Sequence, residues 1–204
     1  MNIPTRQLPL GAGRRIPYDA LVEYVESNGT GTGTAVVDTG YYPCDATTVY
    51  VDTLATADAM ADFECAYVSE VDAFRLGAAA NYGMFWDCGS GAGRWRITIA
   101  SPTSNWWRGL RLRVSAGNRY LSEATTGYSV SASVVSFARK TRPLRMVART
   151  GTRFYSGRIA ESSVLIHDFT PCRVGTAGAL YDRVSGTLFY SATSSPLIPG
   201  PDLP

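Results

Sequence analysis

The stretch from His167 to Tyr190, HDFTPCRVGTAGALYDRVSGTLFY, decides the fold. An aromatic and apolar run ends at Pro171 and is followed by a glycine-containing turn. Two further apolar runs, Leu180-Tyr181 and Leu188-Phe189-Tyr190, flank a second turn. Because proline and glycine punctuate strands while aromatic and branched residues favour them, the stretch predicts strand, turn and strand, with a strand end at Pro171.

The same pattern recurs along the chain. The cleanest two-residue alternations are Thr47–Asp52, Arg94–Ile99 and Leu110–Val114, and the last two place arginine on one face and apolar residues on the other. Many short strands separated by turn residues are typical of sandwiches and jelly rolls. We therefore predict an all-β fold, a two-sheet antiparallel jelly-roll sandwich over residues 18–191.

Both ends of the chain differ from this pattern. Residues 1–17 contain Pro4, Pro9 and Pro17, and residues 192–204 contain four more prolines, so neither stretch suits a helix or a central strand. We predict an extended N-terminal arm over 1–17 and an extended Pro-rich tail over 192–204. The arm is expected either to lie on another subunit or to be a loose terminal segment, as is usual at chain ends.

Composition excludes several classes of protein. The 204 residues are 45% apolar and 18% charged with a net charge of +2, which indicates a folded chain without a strong field for nucleic acid or acidic membranes. The N-terminus has no apolar signal-peptide core, and no window is apolar enough to span a membrane. The four cysteines and single histidine fit no zinc-ligand spacing.

Two regions of the chain resemble a known family. The opening, Leu21–Thr30 followed by Val37–Tyr41, reads LVEYVESNGT and VDTGY, and the closing region combines Gly157-Arg158-Ile159 with Asp168–Cys172 and Gly178–Tyr190. These are similar to the first and last motifs of the laminin-G-like, concanavalin A-like jelly-roll domains of phage and gut-bacterial surface proteins. The chain departs from that pattern at Gly31–Thr34, where a Gln-Tyr pair is absent, and at a shorter hairpin tip after Arg158.

The resemblance implies architecture rather than chemistry. Its aspartates, Asp38, Asp168 and Asp182, are expected to be structural turn residues, and Asp38 and Asp182 are expected to bind turn amides. It also implies a structural component of a phage virion, a capsid decoration or a fibre protein, made in the host cytoplasm and bound to other virion proteins or to further copies of itself. The alternative is a free carbohydrate-binding module or adhesin of bacterial origin, which would carry a secretion signal.

Enzymatic and metal sites find little support in the sequence. A glycosidase needs two carboxylates across the scissile bond, but Glu70 and Asp72 are followed by Arg75 where a third carboxylate of the related glycosidase motif would stand. His167 and Cys172 form no recognisable catalytic pair, so we predict a protein that is not an enzyme and needs no cofactor. A calcium ion remains open, with Asp45, Asp52, Asp58 and Asp62 as candidate ligands.

Aromatic pairs are the best candidates for a binding site. Trp106-Trp107-Arg108 and Tyr41-Tyr42 lie in turn-like sequence, where an exposed ring can stack on a sugar or anchor an interface. The basic run Arg139–Arg145 is a candidate contact for an anion, or a solvated loop. We expect a glycan-binding face for host attachment, with both rings of each pair half buried as the alternative.

Overall fold

The computed structural model describes residues 16–28, 34–55, 62–67, 73–79, 83–89, 95–96, 110–115, 118–123, 129–133, 138–147 and 151–204. Between residues 62 and 133 it is the backbone and its pairing that are described. All regular secondary structure in these ranges is β-strand, and the strand pairings there are antiparallel. The predicted all-β class is confirmed.

The described strands form a large sheet and a small one. The large sheet contains β1 (Ala20–Leu21), β2 (Val25–Glu26), β4 (Thr47–Ala55), β9 (Leu110–Ser115), β10 (Asn118–Glu123), β11 (Ser129–Ser133), β13 (Thr152–Glu161), β14 (Val164–Val174), β15 (Ala177–Asp182), β16 (Thr187–Phe189) and β17 (Ile198–Pro199). The small sheet contains β3 (Val37–Asp38), β5 (Asp62–Tyr67), β6 (Ala73–Ala79), β7 (Gly83–Gly89), β8 (Trp95–Arg96) and β12 (Arg145–Met146). The main path of the large sheet is β11-β10-β9-β4-β13-β14-β15-β16, and the small sheet has the order β3-β12-β5-β6-β7-β8.

The expected strand end at Pro171 is wrong, because β14 continues through Pro171 to Val174. Residue 171 is paired with Leu180 of β15, and its carbonyl accepts a hydrogen bond from the Val22 backbone N–H on the opposite side. In an antiparallel strand the N–H and C=O of one residue point to the same side. The missing proline donor therefore faces the short β1 segment, and the ladder with β15 keeps all its bonds.

The apolar core lies on one face of the large sheet. Val49 and Val51 of β4, Ile159 of β13, Phe169 of β14 and Leu180 of β15 are all fully buried, and each such side chain contributes about 1.5–3 kcal/mol to stability. Their β-branched and aromatic types also favour strands. Over this face lies part of the small sheet: a Cβ added at Gly157 of β13 would be 3.3 Å from the Met146 sulfur of β12.

A buried carboxylate organises the turn between β15 and β16. Asp182 is fully buried and accepts hydrogen bonds from the backbone N–H groups of Asp168, Val184 and Ser185, the first two at 2.8 and 3.1 Å. The Ser185 hydroxyl donates at 2.7 Å, and His167 Nδ1 lies 2.9 Å from the same carboxylate. One side chain thus ties the turn to the neighbouring strand β14.

The Pro-rich tail is part of the large sheet. β17 pairs with β2, and Leu197, which is 1% exposed, forms a bridge with Gly178 of β15. Further backbone bonds join Gly200 to Tyr24 and Leu203 to Leu21. The tail therefore links β15 to the segment 20–26. Of the N-terminal arm predicted over 1–17, residues 1–15 lie outside the described ranges.

Candidate binding groove on the large sheet

The second face of the large sheet is polar where the first is apolar. Along β4, Val49, Val51 and Thr53 are fully buried, whereas Thr48, Tyr50 and Asp52 are partly exposed. Buried and partly exposed residues alternate along β4 because successive side chains of a strand point to opposite faces of the sheet. On β13 the residues opposite these three partly exposed positions are Ala160, Arg158 and Ser156. This polar surface is called the outer face below.

A β-bulge changes which residues of β14 reach the outer face. The pairing of β13 with β14 shifts between Ile159 and Ala160, so that Ile159 is paired with His167 but Ala160 is paired with Leu165. A bulge inserts one unpaired residue and re-aims the side chains beyond it. Leu165 therefore lies on the same face as Ala160, although simple alternation from Asp168 would have placed it on the core face.

An open groove of about 430 Å³ lies on the outer face. It is lined by Thr48, Tyr50, Arg158, Ala160 and Leu165. Ala160 leaves room because its side chain is a single methyl group between the larger neighbours. Ligand sites typically combine aromatic and apolar walls with a few polar groups, and this lining has that composition.

The hairpin tip beside the groove is apolar and turned tightly. Ser162 and Ser163 both have positive φ, at 48° and 71°, the combination found in type I′ hairpin turns, where glycine or asparagine is usual. The next two residues, Val164 and Leu165, are 63% and 43% exposed. The tip therefore presents aliphatic side chains to solvent at one end of the groove.

Arg158 is held in place by an ion pair. Its Nε is 3.1 Å from Asp168 Oδ1, and a second guanidinium, that of Arg183, approaches Asp168 Oδ2 at 3.0 Å. The Asp168 side chain is only 15% exposed, compared with 59% for Arg158 and 55% for Arg183. The carboxylate lies beneath its two partners, and the surface presented to solvent is cationic. Asp168, predicted as a structural turn residue, lies inside β14.

The structure describes only one of the two aromatic pairs, and the two rings of that pair differ in exposure. Trp106, Trp107 and Arg108 lie outside the described residues. Of the tyrosine pair, Tyr42 is 42% exposed, but Tyr41 is 7% exposed and its hydroxyl contacts Thr47 Oγ1 at 2.7 Å. Tyr41 therefore belongs to the core, because its ring needs apolar surroundings and its hydroxyl has buried partners.

A network of polar groups surrounds Tyr41 and includes part of the basic run. The Tyr41 hydroxyl donates to Glu161 at 2.9 Å, and Glu161 also pairs with Arg139. Burial raises the pKa of Tyr41 well above its usual value; the hydrogen bond with Thr47 lowers it in part, while the hydrogen bond to Glu161 and the nearby charges raise it further. Lys140 is 5% exposed. The run 139–145 is therefore partly built into the fold rather than fully solvated.

Two further candidates among the described residues, Asp38 and Cys172, each contact a backbone group. Asp38 Oδ1 accepts the Gly40 N–H at 3.0 Å, a local turn bond, and Gly40 has a φ of 69°. Cys172 donates to the Ala179 carbonyl instead of facing His167, and burial raises the pKa of the Cys172 thiol to about 12.

The structure describes only some of the candidate carboxylates. Glu70, Asp72 and Asp58 lie outside the described residues, and of Asp62 only the backbone is described. Among the described residues, which include Asp45 and Asp52, no group of three or more histidines, cysteines or carboxylates is placed to hold a metal ion.

Comparison with known proteins adds no neighbour: no protein-family profile matches the chain, and no match is found among curated proteins or solved structures. In the described part of the chain, no helix has the length and apolar character needed to cross a membrane.

The groove was not predicted from the sequence, although part of its signal was present. The alternation of Thr48, Tyr50 and Asp52 with valine marks a polar strand face, as does the arginine alternation at Arg111 and Arg113. The register joins these two strands, with Thr48 opposite Arg113 and Tyr50 opposite Arg111. Nothing in the local sequence indicated that these faces would adjoin.

Proposed function

We propose that the outer-face groove binds carbohydrate and that the protein has a non-enzymatic recognition role. The observation that carries the proposal is the combination of Tyr50 with Arg158 and Thr48 around an open groove. A tyrosine ring can stack on the C–H face of a sugar, while guanidinium and hydroxyl groups bind its hydroxyls. Ala160 and Leu165 supply the apolar floor that such a ring face needs.

The composition of the groove favours binding over hydrolysis. Glycoside hydrolysis requires two carboxyl groups that flank the scissile bond. The described residues that line the groove include no carboxylate, and the adjacent Asp168 is engaged by Arg158 and Arg183. A site of this kind can hold a glycan without providing the acid and the nucleophile or base for its cleavage.

The setting that we propose follows from the sequence resemblance. The two sheets would pack as a jelly-roll sandwich of the laminin-G-like, concanavalin A-like type, and the protein would be a structural component of a phage virion, as a capsid decoration or fibre protein. Its partners would be other virion proteins or further copies of itself, held through the arm at residues 1–17. The groove would then serve attachment to a host surface glycan.

The binding role is tested on a glycan array with the purified full-length chain. We expect specific binding that Tyr50→Ala weakens at least about tenfold, because loss of an aromatic anchor at the centre of a site typically costs more than 1 kcal/mol. Ala160→Leu, which fills the groove, should weaken binding similarly. Tyr42→Ala is the matched control, since it removes an exposed tyrosine outside the groove lining.

Two outcomes would contradict the proposal. Absence of binding by the folded wild type to any glycan on the array would remove the recognition role. Binding that survives both groove variants but is lost in Trp106→Ala or Trp107→Ala would move the site to the tryptophan pair. The virion setting is tested separately by deletion of residues 1–17, which should abolish assembly while the remaining chain still folds; normal assembly of the shortened chain would refute the role of the arm.

A further inference from the structure

One row of residues crosses the large sheet through the groove. Arg111 of β9 is paired with Tyr50 of β4, Tyr50 with Arg158 of β13, and Arg158 with Asp168 of β14. The row ends on the far side of β14 with Arg183, whose backbone N–H donates to the Asp168 carbonyl at 2.9 Å. Directly opposed residues of antiparallel strands share a face, so these five positions belong to the outer face.

Arginines recur along this row at every second strand. Neighbouring strands lie about 4.8 Å apart, so the backbone positions of Arg111 and Arg158 are separated by roughly 9.6 Å, and those of Arg158 and Arg183 by a similar distance. Two strand spacings are close to the length of one extended disaccharide. The guanidinium groups of Arg158 and Arg183, however, converge on the single carboxylate of Asp168. The row therefore combines this arginine pair on one side of Tyr50 with the position of Arg111 on the other.

The single acidic residue of the row does not cancel this pattern. Asp168 is 15% exposed and holds Arg158 and Arg183 by hydrogen-bonded ion pairs, which limits the freedom of both guanidiniums. Arg158 and Arg183 each remain more than half exposed and keep further N–H donors for a ligand. Guanidinium groups bind carboxylates and sulfates with strong, directional hydrogen bonds.

Resting on the proposed glycan-binding function, we propose that the ligand is an acidic polysaccharide that lies across the strands along this row. Its anionic groups would bind at the Arg158 and Arg183 pair and at the position of Arg111, while a sugar ring between them would stack on Tyr50. Charge complementarity selects this occupant over a neutral glycan. The Tyr50 ring in the middle of the row favours a sugar chain over a purely ionic contact.

The test is isothermal titration of the full chain with matched pairs of oligosaccharides. One pair is a hyaluronate oligosaccharide and its carboxyl-reduced form, and the other is a κ-carrageenan oligosaccharide and its desulfated form. The first pair probes a carboxylate and the second a sulfate, each present once per disaccharide. We expect at least one acidic member to bind about tenfold or more tightly than its neutral counterpart, and its affinity to fall with added salt.

Substitutions test whether the preference for acidic oligosaccharides depends on the arginines of the row. Arg158→Gln should weaken binding of the acidic oligosaccharide about tenfold and binding of the neutral one by a clearly smaller factor, because the neutral sugar loses only hydrogen bonds from its hydroxyls. Arg145→Gln is the control, because it removes the same charge from an exposed arginine on β12 of the small sheet. Equal losses in the two variants would show that net charge rather than the row is responsible, and would overturn the inference.

The remaining outcomes separate the two proposals. Equal binding of the acidic and neutral members would overturn the acidic ligand and leave the glycan-binding function standing. If none of the four oligosaccharides binds and no glycan on the array binds, both the acidic ligand and the glycan-binding function are overturned. A single-stranded oligonucleotide that binds as tightly as the acidic sugar and loses as much affinity in Arg158→Gln would show that the row binds polyanions in general, which also overturns the inference.

Discussion

Replacement of the buried carboxylate at the β15–β16 turn should measure how strongly it holds the closing strands together. In Asp182→Asn, Oδ1 can still accept the N–H groups of Asp168 and Val184, but the amide NH2 that replaces Oδ2 meets the donor N–H of Ser185. The negative charge beside His167 Nδ1 is also lost. We expect a loss of about 2–3 kcal/mol, the contribution of one strong charge-assisted hydrogen bond and part of a second.

Asp182→Ala should cost more, about 3–5 kcal/mol, because several buried donors then lose their acceptor. The assay is urea unfolding at pH 7, followed by far-ultraviolet circular dichroism, with the free energy of unfolding taken by linear extrapolation. The control is Asp202→Asn, which makes the same chemical change in an exposed pair with Arg173 and should cost less than about 1 kcal/mol.

The pH dependence of stability gives an independent check on the same group. Burial acts to raise the pKa of Asp182, but hydrogen bonds from Asp168, Ser185, His167 and Val184 outweigh it and lower the pKa below the usual value. A carboxylate with a lowered pKa stabilises the fold above its unfolded-state pKa of about 3.9, and this stabilisation is lost as the pH falls toward the folded-state value. Wild type should therefore lose more stability below about pH 4 than Asp182→Asn. The reasoning is refuted if Asp182→Asn unfolds within about 0.5 kcal/mol of wild type at pH 7.

Three further predictions concern the tail, a thiol and the core tyrosine. Gly178→Ala should lower the free energy of unfolding by about 1–3 kcal/mol in urea, because its Cβ would lie 2.9 Å from Val25 Cγ1 and 3.2 Å from the Leu197 Cβ; an unchanged value would show that β2 and the tail shift without cost. Cys172, with a thiol pKa raised to about 12 by burial, should react with a thiol reagent at pH 8 only as fast as the protein opens, and rapid labelling in the folded state would contradict its placement. Tyr41→Phe removes a hydroxyl bonded to Glu161 and should cost about 1–2 kcal/mol by thermal unfolding, whereas a neutral effect would mean that the network reforms around water.

The sequence predicted local structure well where its signals were local. Alternation in Thr47–Asp52 and Leu110–Val114 gave the strands β4 and β9, and turn residues such as Gly40 and Gly186 have the positive φ that favours glycine. The strand end expected at Pro171 was wrong, because a proline disrupts a strand only where its N–H is needed. That depends on which neighbour lies on that side, which local sequence does not specify.

The candidate site depended on contacts between distant parts of the chain. The sequence could not predict which ring of the Tyr41-Tyr42 pair is buried, because the Tyr41 hydroxyl contacts Glu161, which is 120 residues away. Leu165 reaches the groove through a one-residue bulge that hydrophobic patterning does not reveal. The tail, which composition marked only as extended, is held by pairing with β2 and by Gly178 of β15.

By itself the sequence determined that this is an all-β chain with strands of two-residue period, because backbone alternation and turn chemistry act over a few neighbouring residues. Only the tertiary structure decided that Arg111, Tyr50, Arg158 and Arg183 fall in one row across the large sheet. The physical reason is register: which residues of separate strands stand opposite each other is set by long-range pairing and by bulges, and a shift of one residue would move each side chain to the other face.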